Sequence, residues 1–338
     1  MSGPLQPSFP ELLRRLDGDL ALVDSAMRQQ LASPSQVLPL LGEHVLGAGG
    51  KRMRPALVLL AAELCDYTGP RRVQVGAAIE LVHTATLLHD DVVDLSERRR
   101  GQASAHAIWG NRRAVLGGDF LYARASQMIV EDGDPGVLSI FTDAIRGMAE
   151  GELLQLEHSF DPGITESHYF QVIDRKSALL LSASSQLGAV VAGVTQAERR
   201  RLAEFGRELG LAFQLRDDAL DYEDREAELG KQPYDDLREG KVTFPLLLAL
   251  KRCTASQRAA VGALLKSVAR SQEAPGESAE HDLGPAIEAV RVYRGIGDTI
   301  RRAEVHAERA RSAIAPFSDS RAKRDLIAAA EYAVARDR

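Results

Sequence analysis

The sequence predicts an all-α fold, one large bundle of long helices, and three observations support this fold class. Apolar residues recur every three to four positions along most of the 338-residue chain, as in the series Leu12, Leu16 and Leu20. Aromatic residues, which favour strands, make up only 5% of the chain. The sequence contains no alternating apolar and polar run bounded by hairpin turns.

Helix-breaking residues divide the periodic stretches into separate helices. Glycine, proline and aspartate interrupt the apolar rhythm at Gly47–Gly50, Gly69-Pro70, Gly133–Gly136, Asp161–Gly163 and Gly284-Pro285. The apolar run at residues 56–62 predicts a buried helix segment, and the polar stretch at 272–284 predicts an exposed loop. We therefore expect one domain over residues 1–338, in which residues 1–40 form an N-terminal helical segment.

Charge and cysteine content exclude several classes of protein. Acidic residues outnumber basic ones by 48 to 42, whereas nucleic-acid binders are usually basic, so we expect no nucleic-acid partner. Cys65 and Cys253 lie far apart without metal-ligand spacing, which is typical of reduced thiols. The N-terminus does not resemble a signal peptide, and no apolar run reaches the roughly 20 residues needed to cross a bilayer. These features predict a soluble, cytoplasmic protein and leave peripheral membrane contact open.

Two acidic motifs share the form DDxxD, the first being Asp90, Asp91 and Asp94 and the second Asp217, Asp218 and Asp221. On a helix the first and last carboxylates of each motif share a face, with the middle one about 100° away. Like charges at this spacing repel one another, so an external cation is expected. Carboxylate oxygens suit Mg²⁺, which often shares its coordination shell with substrate phosphates. A lone DDxxD favours a solvated acidic surface, whereas two copies at the ends of apolar stretches favour a metal site.

Three groups of basic residues lie near these motifs. The segment Gly49–Pro55 places three cations after a glycine turn, where a helix can begin and bind phosphate at its N-terminus. The segment Arg98–Gly101 follows the first acidic motif, and arginine binds phosphate oxygens bidentately. Lys231 and Lys241 follow the second motif. Together the groups predict two phosphate-rich ligands, one bridged to the carboxylates by metal and one held directly by the cations.

In combination, these motifs resemble those of the trans-type polyprenyl diphosphate synthase family, from Val45 to the C-terminal Arg338. The strings that carry the resemblance are Gly49–Pro55, His83–Asp91, Arg99–Gly101, Gly118–Phe120, Gly151-Glu152, Lys176, Gln214–Asp221 and Asp236–Pro245. Within this family the chain is most similar to bacterial octaprenyl diphosphate synthases. The resemblance implies an isoprenoid synthase fold, in which long antiparallel helices surround a deep central cavity, and it implies a homodimer.

The resemblance also implies a role for each matching residue. Three Mg²⁺ ions around an allylic diphosphate would be held by Asp90, Asp91, Asp94, Asp217, Asp218 and Asp221. The same diphosphate would be bound by Arg99, Lys176, Lys231 and Lys241, and isopentenyl diphosphate by Lys51, Arg54, His83 and Arg100. The allylic cation that develops would face Gln214 and the hydroxyl of Ser177. The catalytic residues of this scheme are Lys176, Ser177, Gln214, Asp90 and Asp217.

The chain departs from the family pattern at three positions. Ser177 stands where threonine is usual and keeps the hydroxyl, and Phe244 stands where leucine is common. Arg216 replaces a usually uncharged residue directly before the second acidic motif. An inward-pointing Arg216 could alter metal affinity, but we expect its side chain to point into solvent.

Small side chains precede the first acidic motif and predict a long product. Ala85 and Thr86 lie one to two turns before Asp90 on the motif-facing side. The resemblance implies that short-product enzymes carry phenylalanine or tyrosine there. We therefore expect a product of C35 to C50, about C40 as the central value, because no aromatic ring blocks this part of the helix. Ile129 and Phe141 are candidates for the floor of the product cavity.

The activity implied by the resemblance is condensation of isopentenyl diphosphate with an allylic diphosphate, farnesyl or geranylgeranyl diphosphate, for example to make a quinone side chain. Two alternatives are a terpene cyclase of the same fold and a non-catalytic subunit of a hetero-oligomeric synthase. A cyclase would not need Lys51, Arg54 and His83. A non-catalytic subunit would be expected to have lost aspartates, and all six are present.

Overall fold

The computed structural model describes residues 8–99, 101–223, 234–273 and 281–336, and helices dominate these ranges. In chain order the elements are α1 (Phe9–Gln29), α2 (Val37–Gly47), α3 (Met53–Leu64), α4 (Arg71–Val93), β1 (Arg98–Arg99), β2 (Gln102–Ala103), α5 (Ala105–Trp109), α6 (Asn111–Asp132), α7 (Pro135–Glu157), α8 (Glu166–Ile173), a π-helical turn (Asp174–Ala178), α9 (Leu179–Val191), α10 (Gln196–Leu220), α11 (Asp235–Arg238), α12 (Phe244–Arg252), α13 (Ala255–Glu273), α14 (Gly284–Val292), α15 (Gly295–Ala313) and α16 (Arg321–Ala335). The predicted all-α fold class is confirmed.

Local sequence explains where several helices begin and end. Ser8 precedes α1, and its backbone N–H donates to Glu11 Oε2 over 2.7 Å, so the glutamate satisfies an otherwise unpaired donor. Thr195 and Glu198 repeat this arrangement before α10, with a donor–acceptor distance of 2.9 Å. Gly133 follows α6 with φ 76°, a left-handed conformation that glycine adopts without steric cost.

Most of the predicted helix breaks fall between helices, but the predicted loop at 272–284 is only partly correct. Helix α13 continues to Glu273, and α14 begins at Gly284 with Pro285 in its first turn. Proline is tolerated there because the first N–H groups of a helix have no intrahelical partner. Residues 274–280 lie outside the described part of the chain.

The chain divides into two compact units, of which the first comprises Met1–Arg146, Leu180–Arg207 and Ala310–Tyr332. Helix α4 is central to it, because it packs against α1, α3 and α6 and is buried along most of its length. The predicted buried helix at residues 56–62 is confirmed in α3, where every one of these side chains is buried. At Gly188 of α9, an added Cβ would lie 2.5 Å from the Val58 carbonyl oxygen, so close packing against α3 requires glycine.

The second unit comprises Gly147–Leu179, Glu208–Arg309 and Ala333–Arg338. Its core is formed around α12, whose residues 244–250 are all buried and which packs against α8 and α14. The Phe244 ring lies 5.0 Å from that of Tyr169, measured between centroids. The expectation of a single domain over residues 1–338 stays a prediction.

A small hairpin was not predicted from the sequence. Strands β1 and β2 pair antiparallel, with Arg99 opposite Gln102. The turn between them contains Gly101 at φ 78°. Strands of two residues are too short to show an alternating pattern, so the sequence carries no periodic signal for them. Within the described ranges, no helix is both long and apolar enough to cross a membrane.

Candidate active site

The first acidic motif ends helix α4. Asp90 and Asp91 lie in its last turn, and the Asp94 backbone N–H caps the helix by donating to the Asp90 carbonyl over 2.8 Å. The carboxylates therefore lie at the negative end of the helix dipole, where an anion is not stabilised. A cation bound here would relieve both this repulsion and the repulsion between the carboxylates. The local geometry thus supports the predicted role of the motif in binding metal.

Asp91, the middle residue of the motif, is buried and paired with Arg99. The Arg99 Nε donates to Asp91 Oδ1 over 2.6 Å. Burial raises the pKa of the Asp91 carboxyl, and the Arg99 charge opposes that rise. Arg99 reaches this position from β1, so the hairpin has a structural role at the site. Arg100, predicted to bind isopentenyl diphosphate, lies outside the described residues.

The basic segment around the start of α3 places its three cations in different surroundings. Arg52 adopts a left-handed conformation with φ 46°, and its guanidinium contacts Glu80 and Asp24, both over 3.1 Å. Arg52 thus has two carboxylate partners in the first unit, and its predicted place in the phosphate-binding group stays a prediction. The Lys51 Nζ lies 5.3 Å from the centre of the Tyr332 ring. Arg54 follows in the first turn of α3 and is half-buried.

The residues predicted to control product length are mainly buried in the first unit. Ala85 is 2% exposed, whereas Thr86 is half-buried and its hydroxyl donates to the His83 carbonyl over 2.8 Å. Ile129 on α6 and Phe141 on α7 are each 1% exposed. Their roles in setting the length of the product stay predictions.

The second acidic motif ends helix α10 in the same way. Asp217 and Asp218 lie in the last turn, and Asp221 follows directly, with its backbone N–H donating to the Asp217 carbonyl. Asp221 Oδ1 in turn accepts a hydrogen bond from the Asp235 N–H over 3.1 Å at the start of α11. The Asp221 carboxylate therefore also fixes the start of α11 next to the second acidic motif. Lys231, a predicted diphosphate ligand, lies outside the described residues.

Asp218, the middle residue of the second motif, is buried and accepts hydrogen bonds on both oxygens. The Tyr169 hydroxyl donates to Oδ2 over 2.5 Å, and the Gln214 amide donates to Oδ1 over 2.9 Å. The Ser177 hydroxyl donates to the Gln214 carbonyl oxygen over 2.7 Å. This chain of hydrogen bonds fixes the orientation of the Gln214 amide, so Asp218 positions the residue predicted to face the allylic cation.

Stability of the metal-free protein should depend on the protonation of Asp218. Burial, together with the negative charge of Asp236, raises the pKa of Asp218 to about 7, against about 3.9 for an unfolded aspartate. Because the folded pKa is the higher, the stabilising contribution is complete below about pH 4 and is lost as pH rises through about 7.

We therefore expect the free energy of unfolding of the wild type to fall, relative to that of Asp218→Asn, between about pH 4 and pH 8. Urea denaturation in the presence of a chelator measures both values. A free energy of unfolding that rose with pH in the wild type relative to Asp218→Asn would contradict a raised pKa at Asp218.

A π-helical turn carries Lys176 and Ser177 between α8 and α9. Such turns occur frequently at functional sites. The Lys176 Nζ lies 2.6 Å from Glu152 Oε2, so the predicted diphosphate ligand already has an acidic partner. An added Cβ at Gly151 would lie 2.7 Å from the Lys176 backbone nitrogen, so α7 approaches the turn closely only because this residue is glycine.

A cavity of about 150 Å³ in the second unit brings five of the predicted residues together. These residues are Lys176, Ser177, Gln214, Asp218 and Lys241. The Lys241 Nζ lies 2.5 Å from Glu239 Oε2, so both lysines of the cavity have carboxylate partners. The cavity has the composition of an anion subsite beside an apolar wall, since Val172, Ile173 and Val242 also line it.

Several residues of this cavity were not identified from the sequence. His158 and His168 both line it, with ring centroids 4.0 Å apart, and so do Tyr169 and Asp236. Tyr169 lies on an amphipathic helix and has the sequence signature of an ordinary core residue. The one usable signal was Asp236, which begins a string that carried the resemblance although no role was drawn from it.

Arg216 is buried, which corrects the expectation that it points into solvent. Its side chain is 7% exposed, and its Nη1 lies 2.6 Å from Glu223 Oε1. The Arg216 Nε also donates to the Arg336 carbonyl over 3.1 Å. A buried arginine requires such partners because an unpaired buried charge is strongly unfavourable.

The donor set fits Mg²⁺, although neither motif encloses an ion by itself. Among the described residues, no three acidic, histidine or cysteine side chains form a closed metal-binding group. Asp90 and Asp94 are half-buried, and the Asp217 side chain is 43% exposed, so these carboxylates keep access to solvent. Mg²⁺ usually shares carboxylate ligands with water and phosphate, so partly exposed carboxylates are compatible with a Mg²⁺ site.

A family model and two curated relatives all identify the chain as similar to polyprenyl diphosphate synthases. The family model described as polyprenyl synthetase matches residues 35–280. The octaprenyl diphosphate synthase of Escherichia coli (strain K12) is 42% identical over 320 residues, which cover 95% of this chain and 96% of the relative. The octaprenyl diphosphate synthase of Haemophilus influenzae is 38% identical over 330 residues, 98% of each chain.

Two solved structures are similar along their whole length. The polyprenyl synthase of Caulobacter crescentus CB15, complexed with calcium and isoprenyl diphosphate, has a TM-score of 0.91 and 39% identity, covering 99% of this chain and all of that one. The decaprenyl diphosphate synthase of Rhodobacter capsulatus has a TM-score of 0.90 and 36% identity, and the match covers 98% of this chain and 99% of that one.

Proposed function

The chain belongs to the polyprenyl synthetase family, and from this premise we propose that it condenses isopentenyl diphosphate with an allylic diphosphate to make a long all-trans polyprenyl diphosphate. The proposed product is octaprenyl diphosphate, and the proposed starters are farnesyl or geranylgeranyl diphosphate. The observation that carries the proposal is the cavity in which Lys176, Lys241, Ser177 and Gln214 meet beside the second acidic motif.

The proposed chemistry begins with loss of the diphosphate from the allylic substrate. Mg²⁺ bound by the two acidic motifs would neutralise charge on the departing diphosphate. Lys176 and Lys241 lie in the cavity with their ammonium groups 2.6 Å and 2.5 Å from Glu152 and Glu239. We propose that diphosphate oxygens take over these contacts, so that both lysines stabilise the leaving group as its C–O bond breaks.

Gln214 and Ser177 are proposed to face the allylic cation that remains. The Ser177 hydroxyl and Asp218 hold the Gln214 amide at both ends, so its dipole is fixed before the charge develops. The isopentenyl double bond attacks the allylic carbon and forms the new C–C bond. The resulting cation loses a proton to the released diphosphate, so no nucleophilic serine or cysteine is needed.

The isopentenyl diphosphate site is proposed at Lys51, Arg54 and His83 of the first unit. All three carry, or can carry, positive charge and lie at or near the start of α3 and on α4. A diphosphate without a metal-bridged contact requires such direct cationic partners. Arg99 is proposed to bind the allylic diphosphate in addition to orienting Asp91.

One reaction tests the function. The purified chain is incubated with labelled isopentenyl diphosphate, farnesyl diphosphate and Mg²⁺, and products are sized by chromatography after removal of the diphosphate. We expect a product near forty carbons, because no aromatic side chain stands at Ala85 or Thr86. Farnesyl diphosphate converted to a hydrocarbon without the isopentenyl substrate would indicate a terpene cyclase. Activity only after a second subunit is added would indicate part of a hetero-oligomeric enzyme.

We also propose that the protein is a cytoplasmic homodimer that contacts a membrane surface to release its apolar product. Helix α6 exposes large apolar side chains at Val115, Tyr122 and Val130, seven to eight residues apart and therefore on one face, with Leu116 beside them. Exposed apolar patches of this kind mark interaction sites. A second copy of the chain would bury this face.

Leu116→Arg is expected to halve the molar mass in light scattering, because a charge at this 64% exposed position would have to be buried in the dimer. Val292→Arg, at an exposed apolar residue of α14, serves as the control and should leave the mass unchanged. Retention of the dimer by Leu116→Arg would place the subunit interface elsewhere.

A further inference from the structure

Arg336, close to the C-terminus, lies against the first carboxylate of the second acidic motif. Its guanidinium forms an ion pair with Asp217. The two partners differ in environment, since the Arg336 side chain is 3% exposed and that of Asp217 is 43% exposed. A buried cation of the chain thus already neutralises a carboxylate that faces solvent.

Helix α10 holds Arg336 in this position by contacts other than the ion pair. The guanidinium carbon lies 3.6 Å from the centre of the Phe213 ring, and Nη2 donates to the Phe213 carbonyl over 2.9 Å. The Arg216 Nε donates to the Arg336 carbonyl, and Arg216 is itself anchored by Glu223. Both the side chain and the backbone of Arg336 are therefore fixed by residues within one turn of Asp217.

We propose that Arg336 is an internal counter-ion of Asp217, and that docking of the C-terminal segment on α10 competes with binding of a divalent cation at the second acidic motif. This inference rests on the proposed metal-binding role of that motif. An arginine beside a carboxylate cancels the charge that attracts a second cation, and it repels a divalent ion at short range. Metal bound at Asp217 weakens the ion pair, and a docked Arg336 weakens metal binding.

Arg216 acts on the metal in this scheme as a positioning residue. The described hydrogen bonds of its side chain go to Glu223 and to the Arg336 carbonyl, so it fixes the backbone of Arg336 and keeps the guanidinium at the Asp217 carboxylate. This role predicts that Arg216 and Arg336 affect metal affinity in the same direction.

Metal binding tests the proposal without recourse to catalysis. Free Mn²⁺, counted by its electron paramagnetic resonance signal, is titrated with the wild type and with Arg336→Gln in the absence of substrates. We expect Arg336→Gln to bind Mn²⁺ on the order of tenfold more tightly, because one repelling unit charge is removed next to the ion. Arg309→Gln, which removes the same charge from an exposed position of α15, should match the wild type.

Unchanged or weaker Mn²⁺ binding by Arg336→Gln would overturn the proposal. Failure of the wild type itself to bind Mn²⁺ would overturn the metal-binding function as well, so the two failures are distinguishable. Because Arg336→Gln could destabilise the C-terminal segment, hydrogen exchange of the wild type provides a second measurement. Peptides covering residues 333–336 should exchange faster when Mn²⁺ is added, and unchanged or slower exchange would equally contradict the competition.

Discussion

Replacing Asp90 with asparagine is expected to lower kcat by about a thousandfold or more, an increase of about 4 kcal/mol in the activation barrier. The substitution keeps the shape of the side chain but removes a charge that is proposed to hold metal at the departing diphosphate. It also removes like-charge repulsion and an unfavourable charge at the end of α4, so the metal-free protein should be at least as stable as the wild type. Steady-state kinetics and thermal unfolding in a chelator measure the two effects.

Asp143→Asn is the matched control, because this aspartate is exposed on α7 of the same unit and its substitution should leave kcat unchanged.

The double variant of Asp90 and Asp217 should be little slower than the slower single variant, since both residues are proposed to act on one diphosphate and such effects are not additive. A kcat within tenfold of the wild type for Asp90→Asn would remove this aspartate from the proposed machinery.

Replacing Ala85 with phenylalanine is expected to shorten the product by several isoprene units. Ala85 is buried in α4 five residues before Asp90, about 7.5 Å along the helix axis. An aromatic ring there would occupy the path that we propose for the growing chain. Chromatography of the dephosphorylated products measures the change in length.

Overpacking at a buried alanine costs about 1–3 kcal/mol, so a second variant is needed to separate length control from loss of stability. Thr86→Phe places the ring at a half-buried neighbour and should also shorten the product. Ala149→Phe, at an exposed position of α7, should leave the product length unchanged. Original product length in both test variants would show that this part of α4 does not limit elongation.

The helices and the acidic motifs were predictable because both depend on short-range spacing. The 100° offset of the middle aspartate in each DDxxD motif was also predictable, but the sequence does not reveal that Asp91 and Asp218 thereby face the core. That outcome depends on Arg99 and Tyr169, which reach the two carboxylates from other elements. A middle aspartate that is buried and hydrogen-bonded orients its neighbours, whereas the half-buried outer aspartates keep access to solvent.

The wrong prediction for Arg216 concerns a charged residue with a structural role. Its charge predicts exposure to solvent, because arginine is rarely buried without a partner. Glu223, the partner of Arg216, lies beyond the end of α10, so helical spacing alone does not predict the ion pair. The π-helical turn at Asp174–Ala178 has no comparable signal, since its sequence is compatible with an ordinary α-helix.

The π-helical turn orients the side chains that line the cavity, and regular α-helical pairing from α8 to α9 does not require it. Relative to an α-helix, a π-helical turn contains one surplus residue, so deletion of a single residue between Asp174 and Ala178 could restore regular α-helical pairing from α8 into α9. Such a deletion would rotate α8 by about 100° about the helix axis relative to α9. The side chains of Lys176 and Ser177 would then no longer point into the cavity that Gln214 lines. The helix itself would nevertheless be more regular.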